Sequence, residues 1–316
     1  MLKKMIPLLL VPFLLLSCAN PILYPREGFV QVPGGPVWYR VFGSGTATPL
    51  LMVHGGPGIR SCYFERLAIL LSQKRPVILY DQLGTGRSGR PMDRSLWTVE
   101  RFVRELAEVR ESLGLAKVHL LGHSWGSALV TTYVLKTHPQ GVESITLASP
   151  YLSTRLWNAD AARLRAQLPP EVQQTLERHE RAGTLQSPEY QEAVGVYHDR
   201  HLFHRKVEPI PSCAEAPKNN EIYQRMWGGS DFYSTGVLKD FDLIPYLEEL
   251  KNPVLLLTGR YDTARPETAA LLQTMIPGAR LSILENSAHM GPMEEPERMS
   301  ELIETFLRDI ELSASR

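Results

Sequence analysis

The sequence predicts an α/β fold in which a mostly parallel β-sheet carries helices on both faces and is interrupted by a helical insertion. Short apolar runs such as Leu50–Val53 and Val118–Leu121 alternate with amphipathic segments such as Thr98–Leu113. Strands and helices that alternate at this spacing form parallel sheets with crossover helices. The alternation stops near Pro150 and resumes near Pro253, which places the insertion between these residues.

The elements follow one another along the chain. Residues alternate around two glycines in Phe29–Phe42, which predicts an opening hairpin. Gly114 predicts the end of the helix at Thr98–Leu113, and apolar residues along one face predict a last helix at Glu294–Ile310. The remaining predicted strands are short apolar runs, typical of buried strands: Leu50–Val53, Pro76–Tyr80, Val118–Leu121, Ser144–Ala148, Pro253–Thr258 and Arg280–Leu284.

These elements divide the chain into a core and a cap. Residues 28–150 and 241–316 form the predicted core, and residues 151–240, which contain no clear apolar strand, form the predicted helical cap. Ligands of such folds bind at the carboxyl ends of the strands, so we expect the cap to cover that edge. Residues 19–27 are expected to form a tether, since prolines there disfavour a helix.

Composition narrows the class of protein. The 316 residues suffice for one large domain or for a core with a substantial insertion. Hydrophobic residues at 43% and charged residues at 22% are typical of a soluble globular enzyme. Because 34 Lys and Arg balance 34 Asp and Glu, charge gives no reason to expect a nucleic acid or an anionic membrane surface as a partner.

The N-terminus predicts export. Two lysines precede the apolar run Met5–Leu16, which is too short and too interrupted by proline to span a membrane. The sequence around Ser17 and Cys18 resembles a bacterial lipoprotein signal, in which residues 1–18 direct export and the cysteine is lipidated as the mature N-terminus. Ala19 resembles outer-membrane lipoproteins more than retained ones. An uncleaved anchor or a plain signal peptide is the alternative, and each places the mature chain outside the cytoplasm, on the periplasmic side.

Two further cysteines, Cys62 and Cys213, remain in the mature chain. In an oxidising compartment they could form a disulfide, but two isolated cysteines at this spacing are equally compatible with buried free thiols. The sequence leaves both alternatives open.

Ser124 is the candidate nucleophile. With Gly122 and Gly126 it forms G-x-S-x-G, between an apolar strand and a helix predicted from Ser127 onward. This pattern is the nucleophile elbow, a sharp turn in which residues without Cβ atoms let strand and helix pass closely while the serine oxygen projects. A structural turn is the alternative for the motif taken alone.

A glycine-rich loop predicts an oxyanion hole. His54–Gly58 (HGGPG) directly follows a strand, and its glycines leave backbone N–H groups accessible. The N–H groups of Gly56 and Trp125 are therefore the candidate donors. The later loop Asp81–Ser88 (DQLGTGRS) lacks the third glycine of a dinucleotide-binding loop and the lysine of a P-loop, so we expect it to shape the site.

Candidates for the acid and the base follow two later strands. Asp262 comes after Pro253–Thr258, and His289 comes after Arg280–Leu284. The order Ser, Asp, His along the chain is that of the α/β-hydrolases. His289 would take the proton of Ser124 and pass it to a leaving amine, while Asp262 would orient the imidazole. The sequence therefore predicts an α/β-hydrolase fold with an inserted helical cap.

These motifs carry a more specific resemblance. HGGPG, DQLGTGRS, GHSWGS, a mid-chain insertion, GRYD and SAHM together resemble the proline iminopeptidase family of serine aminopeptidases, which includes the tricorn-interacting aminopeptidases. The resemblance runs from about Phe29 to the C-terminal helix. It implies release of an N-terminal residue, often proline, from short peptides. It also implies that acidic side chains of the cap and beside the catalytic aspartate hold the free ammonium.

The chain departs from the family pattern at the amine-binding positions. Family members often carry Glu directly after the catalytic aspartate, where this chain has Thr263. Gly228–Phe232 resembles the cap segment that supplies an acidic anchor, which makes Asp231 the candidate ammonium ligand; an Asp that caps a turn is the alternative. His54 and Tyr261 are further candidate substrate contacts.

Three functions remain open at this stage. The first is a lipid-anchored serine aminopeptidase acting on short peptides. The second is an esterase, lactonase or amidase acting on a neutral small molecule, which Thr263 favours. The third is a non-catalytic binding module. No cofactor is predicted, and no metal site either, because His198, His201 and His204 lack companion acidic or cysteine ligands at metal spacing.

Overall fold

The computed structural model describes residues 26–215 and 217–314. The predicted signal at residues 1–18, the lipidation site Cys18 and most of the tether lie outside these residues. The strands are β1 (Glu27–Val32), β2 (Gly35–Phe42), β3 (Leu50–Val53), β4 (Val77–Tyr80), β5 (Val118–His123), β6 (Val142–Ala148), β7 (Val254–Gly259) and β8 (Arg280–Leu284). Every helix within the described residues is too short or too polar to cross a membrane.

The strands form one sheet in the order β1-β2-β4-β3-β5-β6-β7-β8. The pairs β1–β2 and β2–β4 are antiparallel, and the other five pairs are parallel. The prediction of an α/β-hydrolase fold with a mostly parallel sheet that opens on a hairpin is confirmed. All six predicted apolar strands pair within this sheet, with ends that differ by at most two residues from the prediction.

Eleven helices lie within the described residues. They are α1 (Glu65–Leu71), α2 (Val99–Ser112), α3 (Trp125–Thr137), α4 (Thr154–Arg165), α5 (Pro170–Ala182), α6 (Pro188–His201), α7 (Pro211–Ala214), α8 (Asn220–Met226), α9 (Pro266–Met275), α10 (Gly291–Glu294) and α11 (Pro296–Ala314). Three short 3₁₀ segments lie at Ser61–Phe64, Arg94–Leu96 and Ile244–Glu249.

Helices cover both faces of the sheet. Because successive residues of a strand point to opposite faces, Leu51 and Val53 of β3 pack in one apolar cluster with α2 and α3. Leu50 and Met52 pack in the other cluster with α1 and α11. The Thr98 side chain accepts a hydrogen bond from the backbone of α2 and so caps its first turn.

Some helix boundaries differ from the sequence expectation. Helix α3 begins at Trp125, two residues before the predicted start at Ser127. Glycine is a poor helix former, so the sequence provided no reason to place Gly126 in the first helical turn, where the structure has it. The last helix begins at Pro296 rather than Glu294, since proline is favoured at the first helical position.

Among the described residues between β6 and β7 there are five helices, α4 to α8, and no strand of the sheet. We call residues 151–240 the cap; these boundaries stay a prediction. The cap has an apolar cluster of its own, which includes Leu176, Tyr190, Tyr197 and Phe232. Other residues of the cap, Tyr151, Met226 and Trp227 among them, belong to the cluster that packs on the sheet, so the cap packs both on itself and on the core.

A disulfide joins the cap to the core. Cys62, in the 3₁₀ segment after the HGGPG loop, is bonded to Cys213 in α7, and the two Cα atoms lie 5.3 Å apart. The alternative of two free thiols is therefore wrong. We call residues 211–215 and 217–219 the strap. Backbone hydrogen bonds from Asn219 to Gly58 (2.7 Å) and from Gly86 to Pro217 (3.0 Å) also hold the strap to loops at the carboxyl edge of the sheet.

Candidate active site

Ser124 lies at the turn between β5 and α3, with φ 55° and ψ −122°. A positive φ is costly for a residue with a Cβ atom, so the surrounding structure must hold this conformation. A Cβ on Gly122 would lie 2.3 Å from the Gly126 carbonyl oxygen, and one on Gly126 would lie 2.1 Å from the Val53 oxygen. Only glycine allows this close crossing, as the nucleophile elbow requires.

Asp262 and His289 are brought together from the ends of β7 and β8. The His289 Nδ1 lies 2.8 Å from the Asp262 Oδ1, which also accepts the Ala264 N–H at 2.7 Å. The Thr258 hydroxyl donates to Oδ2 at 3.0 Å. Burial acts to raise the pKa of Asp262, but His289, together with hydrogen bonds from Ser149 and the Ala264 N–H, outweighs it and lowers the pKa. Asp262 is therefore an anion that binds Nδ1–H, which leaves Nε2 of His289 to accept a proton.

A second histidine, His123, is hydrogen-bonded to the backbone of His289. His123 is buried, and its desolvation, together with the nearby His289, lowers its pKa to about 3, so the ring is neutral. Its Nε2–H donates to the His289 carbonyl oxygen at 2.8 Å, so Nδ1 accepts from the Tyr63 hydroxyl at 2.9 Å. The Tyr63 oxygen in turn accepts the Gly55 N–H at 2.8 Å. This chain of bonds connects the HGGPG loop to the loop of His289, and no sequence motif indicated it.

The two predicted oxyanion donors face the same space. Trp125 is the first residue of α3, and the first N–H groups of a helix have no partner within the helix. Gly56 has φ +118°, a conformation that favours glycine, and its N–H donates to no other residue in the described part of the chain. Both residues line one cavity with Ser124 and His289.

The cavity lies between the sheet edge and the cap and has a volume of about 530 Å³. This volume is typical of a site for a small molecule. Aromatic residues contribute much of its wall: Tyr151, Trp157, Tyr190, Tyr197, Tyr223 and Trp227.

One carboxylate of the cap lines this cavity. Asp231 Oδ2 lies 2.8 Å from the Nε2 of His198, and Oδ1 accepts from the Tyr223 hydroxyl at 3.1 Å. Burial and the neighbouring carboxylate raise the pKa of Tyr223, so its hydroxyl stays protonated. Thr263 also lines the cavity, and its hydroxyl lies 2.6 Å from that of Tyr197. No sequence pattern indicated that His198 and Tyr223 contact Asp231, because these contacts depend on how α6 and α8 pack beside the loop that carries Asp231.

The other two candidate substrate contacts lie elsewhere. His54 is fully buried and does not line the cavity. Its Nε2 accepts the Gln82 N–H at 2.9 Å, and its Nδ1 lies 2.8 Å from the Gly55 carbonyl oxygen. Tyr261 stacks on His204 with ring centres 3.7 Å apart, also outside the cavity lining. Both side chains are therefore engaged by neighbouring residues of this chain.

Comparison with known proteins gives consistent relatives. A family model described as the alpha/beta hydrolase fold matches residues 48–296. The proline iminopeptidase of Heyndrickxia coagulans is 44% identical over 90% of this chain and 99% of its own length. The proline iminopeptidase of Clostridium botulinum is 35% identical over 89% of this chain and 97% of its own length.

Solved structures give the same result. The crystal structure of the proline iminopeptidase of Mycobacterium smegmatis has a TM-score of 0.82 and 32% identity, covering 91% of this chain and 99% of that one. The crystal structure of VinJ has a TM-score of 0.83 and 32% identity, covering 92% of this chain and all of that one. With an intact elbow and a matching fold along nearly its whole length, this chain is a hydrolase that belongs to the proline iminopeptidase family.

Proposed function

We propose that this chain is a serine aminopeptidase that releases an N-terminal residue, proline among those accepted, from short peptides. The observation that carries the proposal is that Ser124, His289 and the carboxylate of Asp231 line one cavity. An aminopeptidase must place a nucleophile near the first peptide bond while it binds the free amine beside it, and this cavity offers a group for each task.

The reaction follows from the geometry. The Ser124 oxygen attacks the carbonyl carbon of the first residue, and His289 Nε2 takes the hydroxyl proton while Asp262 stabilises the resulting imidazolium. The N–H groups of Gly56 and Trp125 bind the oxyanion. Collapse of the tetrahedral intermediate breaks the C–N bond, and His289 gives its proton to the leaving amine. Water, activated by His289, then hydrolyses the ester on Ser124 and releases the first residue.

Asp231 supplies the recognition of the amine in this proposal. Its carboxylate bears a negative charge opposite an ammonium, and a hydrogen bond to a charged group contributes about 1.5–3 kcal/mol. The aromatic wall of the cavity, with Tyr151, Trp157 and Trp227, suits an apolar side chain such as the proline ring.

The test is hydrolysis of matched chromogenic amides with free and N-acetylated first residues, proline and several others, by the chain without residues 1–18. We expect turnover of the free-amine substrates to disappear in Ser124→Ala and to collapse on acetylation. Turnover that depends on Ser124 but is indifferent to acetylation would overturn the aminopeptidase proposal. No Ser124-dependent turnover of any substrate would favour a non-catalytic binding module.

A second candidate function is an esterase, lactonase or amidase acting on neutral small molecules. Two observations favour it: Thr263 provides no charge beside Asp262, and Asp231 already has His198 and Tyr223 as partners. A simple ester included in the same assay separates the two candidates. Ester turnover with no preference for a free amine would support this second function.

For location, we propose an extracytoplasmic enzyme held to a bacterial membrane by lipid on Cys18. The disulfide between Cys62 and Cys213 supports an oxidising compartment, since cytosolic thiols stay reduced. Expression of the full chain and of Cys18→Ala, followed by separation of membrane and soluble fractions, tests this. We expect detergent but not salt to release the full chain, and a lipid mass on its N-terminal peptide. An unlipidated chain in the cytosol would contradict the proposal.

A further inference from the structure

We propose that Gln82 is a positioning residue that fixes the two backbone segments carrying the oxyanion donors. This inference rests on the proposed roles of Ser124, Gly56 and Trp125, and it holds for an amide or an ester substrate alike. Gln82 follows β4 in the DQLGTGRS loop, is 1% exposed and does not line the cavity, so it acts through other residues.

The side-chain amide of Gln82 bridges both segments. Its Oε1 accepts from the Trp125 indole Nε1 at 2.9 Å, and its Nε2 donates to the His54 carbonyl oxygen at 2.8 Å. The backbone N–H of Gln82 donates to His54 Nε2 at 2.9 Å as a third bond. One residue is therefore bonded to the residue directly after Ser124 and to the residue two positions before Gly56.

The chemistry of the partners fixes the orientation of the amide. The indole N–H of Trp125 can only donate, and the carbonyl of His54 can only accept. A reversed Gln82 amide would place two donors together on one side and two acceptors together on the other. The observed pairing is the one that satisfies all four groups, and buried polar groups are costly to leave unpaired.

These bonds are important because the donors of an oxyanion hole must lie within a narrow range of distances from the oxyanion. Effective donors lie about 2.7–3.1 Å from the position that the oxyanion will occupy, so a small displacement of either segment weakens the bond. Trp125 is buried against Phe102, with ring centres 5.9 Å apart, and the bond to Gln82 sets the direction of its indole. Because the oxyanion forms only in the transition state, loss of Gln82 should lower kcat and leave KM nearly unchanged.

The experiment compares Gln82→Met, which has a similar shape and no hydrogen bonds, with Ser144→Ala. Ser144 forms a buried hydrogen bond with His119 at 2.8 Å, at the opposite end of the strands, and is a matched control for a lost buried bond. We expect Gln82→Met to lower kcat about 10- to 100-fold, less than the loss of a whole donor, with KM changed less than about 3-fold. Ser144→Ala should lower Tm and leave kcat unchanged.

A double-mutant cycle assigns the effect to the bridge. Trp125→Phe removes the indole N–H, and we expect Gln82→Met together with Trp125→Phe to lower kcat by less than the product of the single effects. Gln82→Glu keeps an acceptor for the indole but places a carboxylate against the His54 carbonyl oxygen, so its kcat should also fall. An α-aminoalkyl boronic acid, which forms a tetrahedral adduct with a serine hydroxyl, should bind more weakly in proportion to kcat, while a free amino acid product binds unchanged.

The outcomes separate this inference from the proposed function. A kcat within 2-fold of wild type in Gln82→Met, or multiplicative effects in the cycle, would overturn the role of Gln82 and leave the aminopeptidase proposal intact. If wild-type protein cleaves only esters, the peptidase proposal fails, and the same cycle measured on the ester still decides whether Gln82 positions the donors.

Discussion

The sheet edge and the cap hold their parts of the cavity in different ways. Ser124, Asp262 and His289 are at most 8% exposed, and hydrogen bonds between buried groups fix the loops that carry them. In the cap, the side chains of Asp231 and His198 are 31% and 36% exposed, and Asp231 is held by contacts with His198 and the Tyr223 hydroxyl. The proposed reacting groups are therefore fixed by the fold, whereas the candidate amine-binding groups lie on a more solvent-exposed surface.

This difference predicts which kinetic constant each region controls. Loss of a partner costs more for a buried polar group than for an exposed pair, whose contribution is about 0–1 kcal/mol. Changes at the sheet edge should therefore act on kcat and on stability, and changes in the cap should act on KM.

The sharpest test at the sheet edge is Asp262→Asn. The amide cannot hold the imidazole with Nδ1–H toward it, so we expect kcat to fall about 10⁴-fold with little change in KM. Steady-state kinetics with the best amide substrate measure this, and circular dichroism checks the fold. A loss below about 10-fold would mean that another group orients His289.

The disulfide between Cys62 and Cys213 joins the core to the cap, so its removal should affect both stability and substrate binding. It closes a loop of 151 residues, and loss of a disulfide typically lowers the free energy of unfolding by about 2–4 kcal/mol. We expect reduction to lower stability in urea and to raise KM several-fold, because Asn219, at the end of the strap that contains Cys213, and Tyr223, which follows it in α8, line the cavity. The double variant Cys62→Ser and Cys213→Ser should behave like the reduced enzyme and no longer respond to reductant. Unchanged KM would separate the strap from substrate binding.

Asp231→Asn tests the cap alone. The charge is lost while the shape is kept, so KM for free-amine substrates should rise about 10- to 100-fold, as expected for loss of a bond to a charged group. Substrates without a free amine should be unaffected. Asp199→Asn, the same change at an exposed position of α6, serves as the control. A fall in kcat with constant KM would contradict the division of roles.

The smallest effect is a pH dependence at the sheet edge. Because the pKa of His123 falls from its ordinary value of 6.5 to about 3 in the folded chain, its neutral form stabilises the fold above pH 6.5 and this stability is lost as pH falls toward 3. At one pH unit below 6.5, this effect lowers the free energy of unfolding by about 1 kcal/mol. Thermal unfolding from pH 7 to 5 measures this slope. His123→Gln should make this slope shallower, and an unchanged slope in that variant would remove His123 as a cause.

The same contrast explains what sequence could predict. Ser124, Asp262 and His289 lie one, three and five residues after strands with a clear apolar pattern, so their positions at one sheet edge could be inferred from order alone. Tyr63 and Gln82 could not, because their partners lie 60 and 43 positions further along the chain and only the folded structure brings them together. A sequence motif predicts the local conformation of a few neighbouring residues, but it does not predict hydrogen bonds between residues that are far apart along the chain.

The helices show the same limit. Helix α2 has 14 residues with a strong apolar face and was predicted, whereas α1 has 7 residues, too few for a clear period. In the cap, helical spacing was visible, but the pairing of His198 with Asp231 depends on how α6 packs beside a loop. The sequence identified Thr263 as a departure from the family and Asp231 as the candidate ammonium ligand, and the neighbours of both became visible only in the structure.

The two ends of the cap meet. Ser153, shortly after β6, forms a β-bridge with Asp242, and the Leu243 N–H donates to the Leu152 carbonyl oxygen at 2.9 Å. A segment whose ends lie side by side can be lengthened, shortened or exchanged without displacing the strands at its borders. During evolution, or in a designed chimera, substrate choice can thus change by replacement of one contiguous stretch of gene, while Ser124, Asp262 and His289 stay in place.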